Sequence, residues 1–187
     1  EIEGYVDKSG DGFYTLKSTH FNIKDEIYPI GYNKKKEDYI PFPNLKDIHF
    51  KAYYFIYNVG LVPKQIESAI RQNAEEYGGI RLYRNGFRVL PYAEKDNDWL
   101  ALDSSVRKRI ILTPHGNNNF YGFVEVFDKE GKVFQELSSR EGLLENKAFE
   151  QLKEFVYKVI IDSTLKISSI RGRKKNTSQK DWEKKKH

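Results

Sequence analysis

Apolar positions fall into two helical stripes and several short runs of strand type, and this alternation predicts most of the elements. Phe149, Leu152, Val156, Val159, Ile160 and Ser163 recur at steps of three and four residues, the longest regular stripe in the chain, and predict an amphipathic helix packed along that face. A second stripe, Ile66, Ala69, Ile70, Ala74 and Tyr77, opens at Pro63 and stops at Gly78-Gly79, a proline-first and glycine-last arrangement that bounds a helix. Phe50 to Tyr57 and Phe120 to Phe127 are dense aromatic and apolar runs that read as strands. Ile80 to Arg84 and Phe87 to Leu90 flank Asn85-Gly86, which favours a type I′ hairpin turn. Ile2 to Val6 and Phe13 to Leu16 flank the turn-forming stretch Asp7 to Gly12 and predict a second hairpin. Thr19 to Asp47 carries Pro29, Pro41 and Pro43, as an irregular or edge-strand connection would. Asn97-Asp98 can cap a short helix from Trp99 to about Val106, with Trp99 as a core anchor. This order gives an α+β fold, a mixed β-sheet with helices packed on one face.

Candidate chemistry gathers just before the long helix. Ser138 and Glu141 have capping-box spacing, which predicts a helical turn whose free N–H groups surround Arg140. An arginine at a helix N-terminus suits phosphate, because the guanidinium fork adds to the dipole and the unpaired amides. The competing reading is a surface ion pair between Arg140 and Glu136 or Glu145.

Ser138-Ser-Arg-Glu-Gly-Leu143, followed by Asn146-Lys147 and a long helix, resembles the Ser-Arg-Glu segment of the middle domain of ninety-kilodalton heat-shock chaperones. Ile80-Arg-Leu-Tyr-Arg-Asn-Gly-Phe-Arg-Val-Leu-Pro-Tyr92 with Asn97-Asp-Trp-Leu100 resembles bacterial GHKL ATPases, relatives of gyrase B, MutL and the microrchidia proteins. The two together span roughly Phe50 to Leu165. The resemblance implies a transducer domain with a left-handed βαβ crossover, working beside an ATP-binding domain. Arg140 would contact the ATP γ-phosphate with Ser139, Glu141 and Gly142 beside it, while ATP and Mg would be held by the other domain and no cofactor by this chain. Residues 1–47 would be an N-terminal hairpin and junction to that domain, 48–167 the transducer unit and 168–187 a basic tail. Position 93 is Ala where the family pattern has Gly.

Composition narrows the picture further. The chain has 187 residues and net charge +5, yet Arg171 to His187 holds eight Lys or Arg against Asp181 and Glu183. That surplus of six leaves the other residues near −1, so the basicity belongs to the tail and not to a broadly basic body. Zero Cys excludes disulfides and thiolate zinc sites and fits a cytoplasmic setting. The absence of Met suggests a piece of a longer chain, and no run is apolar enough for a membrane partner. Partners expected are the protein's own ATP-binding domain, a second copy of the chain and, as the alternative function, nucleic acid. That alternative would act through the tail residues Arg171, Arg173, Lys174 and Lys175 and the hairpin arginines Arg81, Arg84 and Arg88. The Lys34 to Lys36 run reads as a solvated loop tip. Asp7, Ser9, Asp11 and Gly12 imitate a calcium loop, but Ser18 stands where the bidentate Glu is required. His20, His49 and His115 lack ligand spacing, and no nucleophile–base set points to an enzyme acting alone.

Overall fold

The computed structural model describes residues 1–31, 40–57 and 61–172. The strands are β1 (Ile2–Val6), β2 (Gly12–Ser18), β3 (Ile23–Ile30), β4 (Ile48–Tyr54), β5 (Gly79–Arg84), β6 (Phe87–Val89) and β7 (Phe120–Val126). The helices are α1 (Lys64–Tyr77), α2 (Leu102–Arg107) and α3 (Lys147–Ile170). All seven strands join one mixed sheet in the order β3-β2-β1-β4-β7-β5-β6. Pairing is antiparallel except between β5 and β7, and the strands before residue 48 enter the same sheet because β1 lies against β4, with Gly4 opposite Phe50.

Strand alternation places Ile2, Val6, Tyr14, Leu16, Phe50, Ala52, Ile80, Leu82, Phe120 and Val124 on one buried face. There α3 lies across the sheet with every residue of its sequence stripe buried. Gly4 permits the approach, since a Cβ there would stand 3.3 Å from both Phe155 and Phe50. Each fully buried Leu, Ile, Val or Phe of this layer contributes about 1.5–3 kcal/mol relative to exposure. Tyr14 donates to Asp162 of α3 at 2.7 Å, a polar clasp at the edge of that layer.

The sequence signals bounding most elements hold. Asn85 and Gly86 take φ of 50° and 84°, as a type I′ turn requires. Trp99 is buried and donates its indole N–H to the Ile80 carbonyl at 2.8 Å. The short helix starts later than its sequence signal, because Asp98 reaches forward to the N–H groups of Asp103 and Ser104 across a left-handed Ala101. Ala93 also adopts a left-handed φ of 61°, the conformation for which Gly is favoured. Among the described residues no helix is long and apolar enough to cross a membrane.

Candidate functional site

Beyond β7 the chain turns at Asp128, whose carboxylate accepts the N–H groups of Lys132, Val133 and Phe134 at 3.3, 2.9 and 2.7 Å. Burial raises the Asp128 pKa, but these three donors and the nearby Arg84 guanidinium outweigh burial and hold it below the ordinary carboxylate value. The Asn85 side chain donates to the Asp128 carbonyl and accepts from its N–H. Arg84 donates to the Phe134 carbonyl at 2.7 Å and pairs with Glu136 at 3.4 Å. The β5–β6 hairpin therefore grips the start of the loop that carries Arg140.

That loop is a small two-arm turn and not the helical turn that the Ser138–Glu141 spacing predicted. Glu136 bridges Leu143 in antiparallel fashion, the Leu137 N–H reaches the Gly142 carbonyl, and the Arg140 N–H reaches the Leu137 carbonyl. Positive φ at Arg140 (59°) and Gly142 (116°) breaks any helical path. The Glu141 N–H meets Ser139 Oγ, so the reciprocal bonds of a capping box do not form. The long helix begins at Lys147, where the Asn146 carboxamide accepts the Phe149 N–H at 3.0 Å. Arg140 thus owes its positive potential to its guanidinium and not to a helix end.

The far arm is held from below. Buried Leu143 donates its N–H to the Tyr92 hydroxyl at 2.9 Å, and Tyr92 packs edge-on against Trp99 and tilted against Phe149. A Cβ at Gly142 would stand 3.1 Å from that hydroxyl. Ser139, Arg140 and Glu141 are exposed at the tip, whereas Gly142 is buried beneath it. The expected alternative for Arg140 does not form: Glu136 is taken by Arg84, and no carboxylate among the described residues pairs with Arg140. Among the described residues the Gly142 N–H also makes no hydrogen bond. Leu137 and Leu144, on the two arms of the loop, stand exposed at 39% and 45%. An exposed guanidinium with no carboxylate partner among the described residues can receive an anion carried by another surface.

Other expected sites are arranged differently. Arg88 pairs with Glu94, Arg81 donates to the Tyr77 carbonyl and Arg84 is the brace already described, so each hairpin arginine has a partner within the chain. Arg171 closes the end of α3, while Arg173, Lys174, Lys175 and the Lys34 to Lys36 run lie outside the described residues. Asp7 uses its carboxylate on the N–H groups of Ser9 and Asp11, a hairpin turn. Among the described residues no group of three His, Cys, Asp or Glu side chains is placed to hold a metal. His115 is buried, with Nδ1–H donating to the Thr113 carbonyl and Nε2 accepting from the Ser105 hydroxyl. Ser105 in turn meets the Tyr157 hydroxyl of α3 at 3.2 Å. A cleft of about 550 Å³ near the Gly79 end of β5 is lined by Glu75, Glu94, Asp96, Asp98 and Asp103, a charge opposed to phosphate and at the other end of the strand from Arg140.

The spacing of motifs did not disclose Asp128, Asn85, Arg84 and Tyr92 as supports. A turn-initiating Asp that can collect downstream amides was the available signal at Asp128; nothing local marks Tyr92, whose partner is 51 residues away. Compared with family models, curated proteins and solved structures, the chain gives no significant match.

Proposed function

We propose that the chain is the transducer unit of a GHKL-type ATPase, in which Arg140 contacts the γ-phosphate of ATP bound to a separate ATP-binding domain. The observation that carries this reading is the exposed Arg140, unpaired with any carboxylate among the described residues, at the tip of a loop braced on both arms. The motif resemblance supplies the identity of the anion. ATP and Mg belong to the other domain. On this side, Arg140 offers a bidentate fork, and the exposed Leu137 and Leu144 of the loop's two arms give apolar surface for the meeting domains to cover. A charge-assisted hydrogen bond of this kind contributes about 1.5–3 kcal/mol, and each 1.4 kcal/mol of differential binding shifts a two-state equilibrium about tenfold. Loss of the γ-phosphate on hydrolysis removes that contact and lets the domains separate.

The direct test is association between this chain and the ATP-binding domain. With a non-hydrolysable ATP analogue bound, the affinity is expected to exceed that of the ADP-bound domain by tenfold or more. Equal affinity in the two nucleotide states would remove the γ-phosphate from the account.

A further inference from the structure

The brace beneath the Arg140 loop is a set of polar bonds made by Asp128, Asn85 and Arg84. One carboxylate collects three consecutive backbone N–H groups, and its own backbone is clasped from both sides by Asn85. Asn85 sits at the hairpin tip with a left-handed φ, so the clasp depends on the same turn residue that sets the β5–β6 hairpin. Arg84, one residue earlier, adds its bonds to Phe134 and Glu136. The chain from residue 132 to 136 is therefore held from one side by Asp128 and the hairpin and from the other by Asn146, which donates to the Val133 carbonyl at 2.7 Å, and the arm that ends in Arg140 continues from it.

We infer that Asp128 is a positioning residue: with Asn85 it forms a mount that fixes the direction in which the Arg140 loop leaves the sheet, and it acts on ATP turnover only through Arg140. This rests on the γ-phosphate reading for its consequence, but the mount itself stands on the geometry of this chain. Preorganisation matters because a guanidinium held in place loses less freedom on meeting its anion, and a displacement of about 1 Å is enough to spoil such a contact.

Hydrogen exchange on the chain reads the mount without any nucleotide. Asp128→Asn keeps the shape but removes the charge and leaves one acceptor oxygen for three N–H groups, with an NH2 facing the Lys132 N–H when that oxygen holds Val133 and Phe134, and exchange at residues 132–134 and 137–143 is expected to accelerate at least tenfold while α3 stays protected. Asn85→Gly keeps a left-handed turn residue and deletes only the clasp, so it should move the same amides in the same direction even if Asp128→Asn folds poorly. Unchanged exchange in Asn85→Gly and in folded Asp128→Asn would overturn the mount. In the intact ATPase, Asp128→Asn should lower turnover several-fold at unchanged KM for ATP, Asp128→Glu should restore part of it, and Asp128→Asn should cost nothing further in an Arg140→Ala background. Independent, additive losses would overturn the route through Arg140. Accelerated exchange together with an Arg140→Ala enzyme of normal turnover would uphold the mount and remove the γ-phosphate reading.

Discussion

The helices α1 and α3 are both amphipathic and both visible in the sequence, yet the fold treats them in opposite ways. In α3, Phe149, Leu152, Phe155, Val156, Val159 and Ile160 are all buried on the sheet. In α1 only Ala74 is buried, and Ile66 and Tyr77 remain about half exposed at 48% and 49%. Polar contacts hold α1 instead: Arg71 joins Glu67 and the Tyr57 carbonyl and lies over the Tyr57 ring. Asn73 meets the Tyr121 hydroxyl, and Arg81 reaches the Tyr77 carbonyl. Periodicity reports that a face is apolar; whether the sheet has room for that face is decided by tertiary packing. One helix carries the core, and the other is a peripheral crossover between β4 and β5.

The largest effect that separates the two is core truncation in α3. Phe155→Ala removes a ring that packs edge-on against Phe42 at 5.3 Å and touches the Gly4 position; a loss of about 3–5 kcal/mol in denaturant unfolding is expected, and a loss under about 1 kcal/mol would mean that α3 is not the core element.

A smaller effect concerns the polar chain Thr113–His115–Ser105–Tyr157, which ties α2 and its loop to α3. Burial pushes the His115 pKa below 6.5, outweighing its bond to Thr113 and the field of Asp103. The folded state thus binds its proton less readily than the unfolded chain does. This contribution to stability is complete above pH 6.5 and declines as pH falls from 6.5 through the folded-state pKa, with a limiting slope of about 1.4 kcal/mol per pH unit. Unfolding curves of wild type and His115→Gln between pH 7.5 and 5 check it: the variant should show a shallower acid slope, and parallel slopes would show that His115 does not titrate differently on folding.

The smallest effect is predicted for α1. Ile66→Ser should change stability by less than about 0.5 kcal/mol, whereas a loss above about 2 kcal/mol would show its apolar face to be buried in solution.

The same contrast explains what could be read in advance. Strands, the Asn85-Gly86 hairpin, the Trp99 anchor and the α3 stripe were legible because each is a local pattern with a local cause. At the candidate site, Arg140 was legible as a motif, but its setting was not. The Ser138–Glu141 spacing suggested a capped helical turn, and the left-handed residues Arg140 and Gly142 instead close a two-arm loop. Its supports come from Arg84, Asn85 and Tyr92, which reach it across sequence gaps that no window of pattern spans.

Steady-state ATP turnover of Arg140 variants in the proposed full-length ATPase tests the central claim most directly. Arg140 lies on an exposed tip with no core contact, so Arg140→Ala should leave the melting temperature and nucleotide affinity near wild type. Turnover should fall about tenfold or more, because the proposed interaction is with the charge on the γ-phosphate. Arg140→Lys should recover only part of it, since a point charge cannot replace the planar fork. Wild-type turnover in a well-folded Arg140→Ala enzyme would contradict the account and leave Arg140 a solvated surface side chain.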